Sequence, residues 1–293
     1  MKKLSLFFIL ALFTVFAFGQ SKAPVKKTTA TTPGAMACCA KSAPQQFAML
    51  ASNSKFVMSH GTPKPFHFQS SIGKQVTYKT PDGKESTAYE LKAKSPTNNY
   101  LIVIHEYWGL NDYIKKESEK LYTDLGNVNV IALDLYDGKV ATTQQDAGKY
   151  MGAVKDERAQ AIIKGAIEYA GPKAKIATIG WCFGGGWSLQ ASLLAGKQDV
   201  ACVMYYGMPK KSIDRLKTLN ADVLGNFANK DQWINTKVVS QFEADMKAAG
   251  KKLYLHQYDA DHAFANPSSP NANNEVAQKA YAFTLEYLKS RLK

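Results

Sequence analysis

Arginine is nearly absent from this 293-residue chain: Arg158, Arg215 and Arg291 are the only three, and lysine supplies the other basic side chains. Base-edge reading and bidentate phosphate clamps favour arginine. No basic stripe interleaved with aromatics appears either, so a nucleic-acid partner is not expected. The formal net charge of +13 overstates the basicity of the folded part. Lys2, Lys3, Lys22, Lys26, Lys27 and Lys41 carry six of those charges before residue 47, leaving +7 for the remainder, which reads as a lysine-covered surface.

Acidic side chains are missing altogether from the first 46 residues, and no apolar run has the length of a confident membrane span. Residues 1–19 combine Lys2 and Lys3 with an apolar run over 6–18 and the small-residue site Ala17-Phe18-Gly19. That pattern is a secretory signal peptide. Cleavage after Gly19 leaves Gln20 as the mature N-terminus, a secreted or periplasmic protein and no stable membrane insertion. Residues 20–46, rich in Ser, Thr, Ala, Pro and Lys without a hydrophobic period, read as a disordered linker. Residues 47–293 fit one α/β domain, expected to be a monomer.

Cysteine is scarce as well. The four are Cys38 and Cys39 in the linker, Cys182, and Cys202 in the apolar run DVACVMYYG, where it reads as core. There is no regular disulfide framework, and without a Cys-x-x-Cys pair a thiol redox protein is the weaker alternative. An unpaired Cys182 outside the cytoplasm asks for a chemical reason.

No internal repeat is visible; instead strand and helix patterns alternate. Residues 74–95 read as a hairpin about Pro81-Asp82-Gly83. The run NYLIVIHEYWG (99–109) reads as a strand buried on both faces. A helix over 112–125, a strand over 128–136 and one long helix over 146–170 follow. Strands are predicted at 173–179, 200–206, 221–229 and 251–258, with helices at 187–195, 234–249 and 274–292. Such alternation gives a mainly parallel sheet with helices on both faces, whose ligands bind beyond the carboxyl ends of the strands.

Four segments fall at such ends: His105-Glu106-Tyr107-Trp108, Cys182, Asp231 and His262. GWCFGGG (180–186) places Cys182 at a sharp strand-to-helix turn, which is a nucleophile elbow with Cys for Ser or a glycine-rich turn with a buried thiol. The order Cys182, Asp231, His262 is nucleophile, acid, base. Among the other histidines, His256 falls inside a strand, His60 and His67 precede the sheet, and His105 precedes the nucleophile. Asp231 also suits a turn or helix cap, and Asp259 stands as an alternative orienting acid. Glu106, beside two aromatics at the mouth of the sheet, is assigned to the site. The backbone N–H groups of Tyr107 and Phe183 are the expected oxyanion donors.

IHEYWGLND (104–112), LDLYDGK (133–139), GWCFGGG, MYYG (204–207), NKDQWI and DHAFAN occur in this order and together resemble the dienelactone hydrolase family. The resemblance implies the α/β-hydrolase fold and a Cys–His–Asp triad acting on small esters or lactones, carried here by Cys182, His262 and Asp231. It further implies that Glu106 contacts the resting thiol and that Tyr206 is a pocket tyrosine; Trp108, two residues past Glu106, is expected at the substrate. It requires no cofactor and no metal. The family's carboxylate-binding arginines are missing: Asn266 stands four residues past His262, and Gln144, Gln145 and Lys149 occupy the other region. A neutral ester or lactone is therefore the expected substrate, with Asn266 reaching its pocket. A non-catalytic small-ligand receptor on the same fold is the rival reading.

Overall fold

The computed structural model describes residues 42–293. The expected signal peptide, most of the expected linker, Cys38 and Cys39 lie outside the described residues. An eight-stranded sheet organises the domain, in the order β1-β2-β4-β3-β5-β6-β7-β8. The strands are β1 (Lys74–Lys79), β2 (Glu85–Leu91), β3 (Asn99–Ile104), β4 (Asn129–Leu133), β5 (Lys175–Trp181), β6 (Asp199–Tyr205), β7 (Val223–Ala228) and β8 (Leu253–Tyr258). The β1–β2 hairpin pairs antiparallel within itself and with β4, and every other pairing is parallel. Leu101, Ile102, Val103 and Ile104 of β3 are fully buried, as an apolar run sandwiched between helical layers must be.

The helices are α1 (Ala43–Ala48), α2 (Ser54–Ser59), α3 (Asp112–Leu125), α4 (Gln144–Ala153), α5 (Asp156–Ala170), α6 (Phe183–Ala195), α7 (Ile213–Leu216), α8 (Thr236–Ala248) and α9 (Asn274–Arg291). Helix α6 packs on α5, β3, β5 and β6, while α9 packs on α3, β6 and β7. Asn111, Asn235 and Asn273 start α3, α8 and α9, each side chain accepting a first-turn N–H.

Two expectations need correction. Residues 146–170 are not one helix: Val154 and Lys155 take extended backbone between α4 and α5. Asp156 and Glu157 then open α5 with acidic side chains at its positive end. Residues 43–46 are not linker but the start of α1. Ser42 and Gln45 form a reciprocal capping box, and Ala43, Pro44 and Phe47 are buried. A 3₁₀ turn (Met49–Ser52) links α1 to α2, and this short-helix segment packs on α4 and α6.

Candidate active site

The turn from β5 into α6 is sharp because glycines permit it. A Cβ on Gly184 would lie 2.4 Å from the carbonyl oxygens of both Ile104 and His105, and one on Gly180 would lie 2.1 Å from the Gly184 carbonyl oxygen. The helix start therefore presses directly on the sheet, and Cys182 takes φ 54° and ψ −120° at the apex. Four described non-glycine residues have positive φ, and three of them, Cys182, Tyr206 and Ala263, gather here. Strain of this kind persists only where packing imposes it.

Cys182, His262 and Asp231 form one hydrogen-bonded row. His262 Nε2 lies 3.3 Å from Cys182 Sγ, and His262 Nδ1 lies 2.5 Å from Asp231 Oδ2. Asp231 fills both roles the sequence left open. Its Oδ1 accepts the N–H groups of Trp233 (2.8 Å) and Ile234 (2.9 Å), while Oδ2 serves His262. Asp259 is excluded as the orienting acid, since it lies on the surface paired with Lys230. Burial pushes the Cys182 thiol above its ordinary value, against the pull of His262. Burial would lower His262, but the Asp231 carboxylate beside it, together with Cys182, outweighs that and keeps the imidazole a strong base. The Phe183 backbone also favours the thiolate, though less than His262 does.

Glu106 does not reach the thiol, contrary to what the resemblance implied. Its Oε2 accepts from Asn266 Nδ2 (2.7 Å) and its Oε1 from the Tyr206 hydroxyl (3.4 Å). Burial raises its pKa to about 7 although both hydrogen bonds oppose that. Asn266 is correspondingly turned toward Glu106, and its Oδ1 accepts from Ser268 N and Oγ. Glu106, Trp108, Trp181, Asn266 and Pro267 line one cleft, so Asn266 and Trp108 are at a pocket wall. The Tyr206 ring packs 5.1 Å from that of His262. Tyr107 is fully buried, with its hydroxyl donating to the Gln144 carbonyl. Lys149 is exposed, Cys202 is core and His105 is a structural residue, its Nε2 accepting the Leu135 N–H. His256 stacks on Phe283 and His67 pairs with Asp112.

The sequence reading missed the other side of the site. Phe47, Phe56 and His60 cover the row from the short-helix segment. His60 Nε2 stands 3.7 Å from Cys182 Sγ, and Phe56 packs against His262, Trp233, Tyr107 and His60. The His60 carbonyl accepts from Gln144 Nε2 at 2.8 Å, tying the segment to α4. With this cover Cys182 has 0 % and His262 2 % of its surface exposed. A local signal exists in retrospect: Asn53 caps a helix that carries Phe56 and ends at His60, four residues on.

A model of the dienelactone hydrolase family matches residues 87–292. Protein usf of Aquifex pyrophilus is 30% identical over 208 residues, covering 66% of this chain and 88% of that protein. Carboxymethylenebutenolidase 1 of Cupriavidus pinatubonensis is 25% identical over 238 residues, covering 74% and 96% respectively. Among solved structures, a putative dienelactone hydrolase from Klebsiella pneumoniae superposes with a TM-score of 0.63 at 22% identity, covering 74% of this chain and 98% of that one. The fold is that of the α/β-hydrolases.

Proposed function

This chain belongs to the dienelactone hydrolase family and is a carboxylic ester or lactone hydrolase; from that premise we propose that Cys182 is its nucleophile, in a triad with His262 and Asp231. The observation that carries the reading is the continuous row from Sγ through the imidazole to the carboxylate at a strained elbow. His262 Nε2 takes the thiol proton, and the thiolate attacks the substrate carbonyl. The N–H groups of Phe183 and Tyr107 receive the oxyanion. Collapse expels the alkoxide, which takes the proton back from His262, and leaves a thioester on Cys182. Water activated by His262 then releases the acid and restores the thiol. Asp231 fixes the imidazole tautomer and stabilises the imidazolium formed in each half.

The substrate is small and neutral. Arg158 is engaged with Asp82 and Asp137 and Arg291 with Asp222, so neither supplies a carboxylate clamp. Substrate entry requires the cover over Cys182 to shift. The reading of residues 1–19 as a signal peptide supports action outside the cytoplasm, and the enzyme is proposed to act as a monomer.

A panel of p-nitrophenyl acetate, a short thioester and neutral and anionic lactones tests this on the mature chain. We expect turnover of the neutral members and loss of about 10⁴-fold or more in Cys182→Ala. Ligand binding without turnover of any member would favour the receptor reading, and full activity in Cys182→Ala would exclude it as nucleophile.

A further inference from the structure

The Nε2 atoms of two imidazoles converge on one sulfur. His60 Nδ1 lies 2.7 Å from the Phe56 carbonyl oxygen, which can only accept, so Nδ1 carries the proton and Nε2 is bare. His262 gives its Nδ1–H to Asp231 and turns Nε2 on the same sulfur. A thiol has one proton and satisfies one of the two nitrogens. The other faces sulfur with no hydrogen between them.

We propose that His60, Cys182 and His262 form a binding site for one zinc ion, which holds the nucleophile shut as a zinc thiolate. The three donor atoms lie within 4.8 Å of one another and all three residues are buried. Zinc bonds of about 2.3 Å to sulfur and about 2.0–2.1 Å to nitrogen separate neighbouring ligand atoms by roughly 3.4–3.8 Å. The S···N distances of 3.3 and 3.7 Å meet that with adjustments of a few tenths of an ångström, while the two imidazole nitrogens, within 4.8 Å of each other, must draw together as the metal enters. Each imidazole already has the outer partner a metal-bound histidine needs, a backbone carbonyl for His60 and a carboxylate for His262. Charge favours a divalent over a monovalent ion, and a thiolate with two imidazoles suits zinc. Zn²⁺ with the Cys182 thiolate and the Asp231 carboxylate is neutral, suiting a wall of Phe47, Phe56 and Tyr107, whereas Cu⁺ leaves a net negative charge among those aromatics. Binding replaces the S–H bond by S–Zn and releases one proton to solvent. The site stands whether or not Cys182 proves to be the nucleophile, because it requires only the donors.

The test uses the metal-free mature chain, with Zn²⁺ and Co²⁺ as probes, alongside a Cys38→Ser/Cys39→Ser variant that removes the other thiols of the leader-proximal segment. Equilibrium dialysis with elemental analysis should find one zinc per chain in both. Co²⁺ should give thiolate-to-cobalt charge-transfer absorption that Cys182→Ser abolishes. His60→Ala should weaken zinc by more than the roughly 10–100-fold that loss of an outer-shell partner costs. Bound Zn²⁺ should also block alkylation of Cys182 in the unsubstituted protein, a readout independent of any variant's folding. Zinc that follows Cys38 and Cys39, affinity unchanged in His60→Ala, or uptake of Cu⁺ without Zn²⁺ would each overturn the assignment.

Discussion

Cys182, Asp231 and His262 stand just beyond the carboxyl ends of β5, β7 and β8, which with β6 form the continuous parallel half of the sheet that ends at the β8 edge. Phe47 and Phe56, which face them, stand on helices of six residues, and His60 caps the second of these. An isolated helix of that length is not stable in water, so α1 and α2 exist only through what they bury. The chemistry is thus mounted on strand ends of the central sheet, and its cover on short helices held by aromatic contacts, by packing on α4 and α6 and by the hydrogen bond from Gln144 to the His60 carbonyl. Local opening draws on such low-stability units, which allows access to Cys182 without unfolding the site.

The contrast can be pressed hardest on the sheet side. Asp231→Asn keeps the shape of the side chain but removes the charge that orients His262 and stabilises its protonated form. We expect kcat/KM for a short ester to fall by about 10³–10⁴-fold with KM little changed. A loss under tenfold would place the orienting role elsewhere.

On the covering side, Phe56→Ala removes the ring that packs on His262, Trp233, Tyr107 and His60. Truncating a buried Phe typically costs about 3–5 kcal/mol. If the cover docks as its own unit, that loss falls on docking, and iodoacetamide should modify Cys182 about 10²-fold faster or more while Tm barely moves. A fall in Tm with alkylation tracking global unfolding would show instead that cover and body form one cooperative unit.

The smallest expected effect sharpens the boundary between them. Glu106 has its pKa raised from 4.5 to about 7, chiefly by burial. Between those values the native state holds a proton the unfolded chain has lost, so stability is greatest below about pH 4.5 and falls as pH rises through 7. The decline attributable to this group is about 3 kcal/mol at most. Glu106→Gln should remove it, seen as a growing stability difference from the parent in urea melts from pH 5 to 8. Buried Asp199, also raised to about 7 by burial, is common to both proteins and cancels. A pH-independent difference would mean Glu106 stays ionised, held by Asn266 and Tyr206.

Much of the wall was legible before any coordinates. The hairpin, the parallel strands, the elbow and the row Cys182, Asp231, His262 follow from strand ends and chain order, because each turn is specified by its own neighbours. The break at Val154 was not legible, since the helical period runs through it. The partners of Glu106 were not legible either. The carboxylate and Asn266 are separated by 160 residues, and which of thiol, amide or tyrosine a buried carboxylate meets depends on how loops from β3, β6 and β8 fold together.

The sequence by itself determined the alternation of strands and helices from β1 onward, apart from the break at Val154, and the strained turn that sets Cys182 at a helix N-terminus, and it singled out His262 with Asp231 or Asp259 as its partner. Tertiary structure alone decided that His60, 122 residues before Cys182, lies against its sulfur. Local patterns are set by backbone sterics and by the period of apolar side chains, which act over a few residues. The closing of a short, marginal segment over a distant site is set by aromatic burial between surfaces that the sequence does not place side by side.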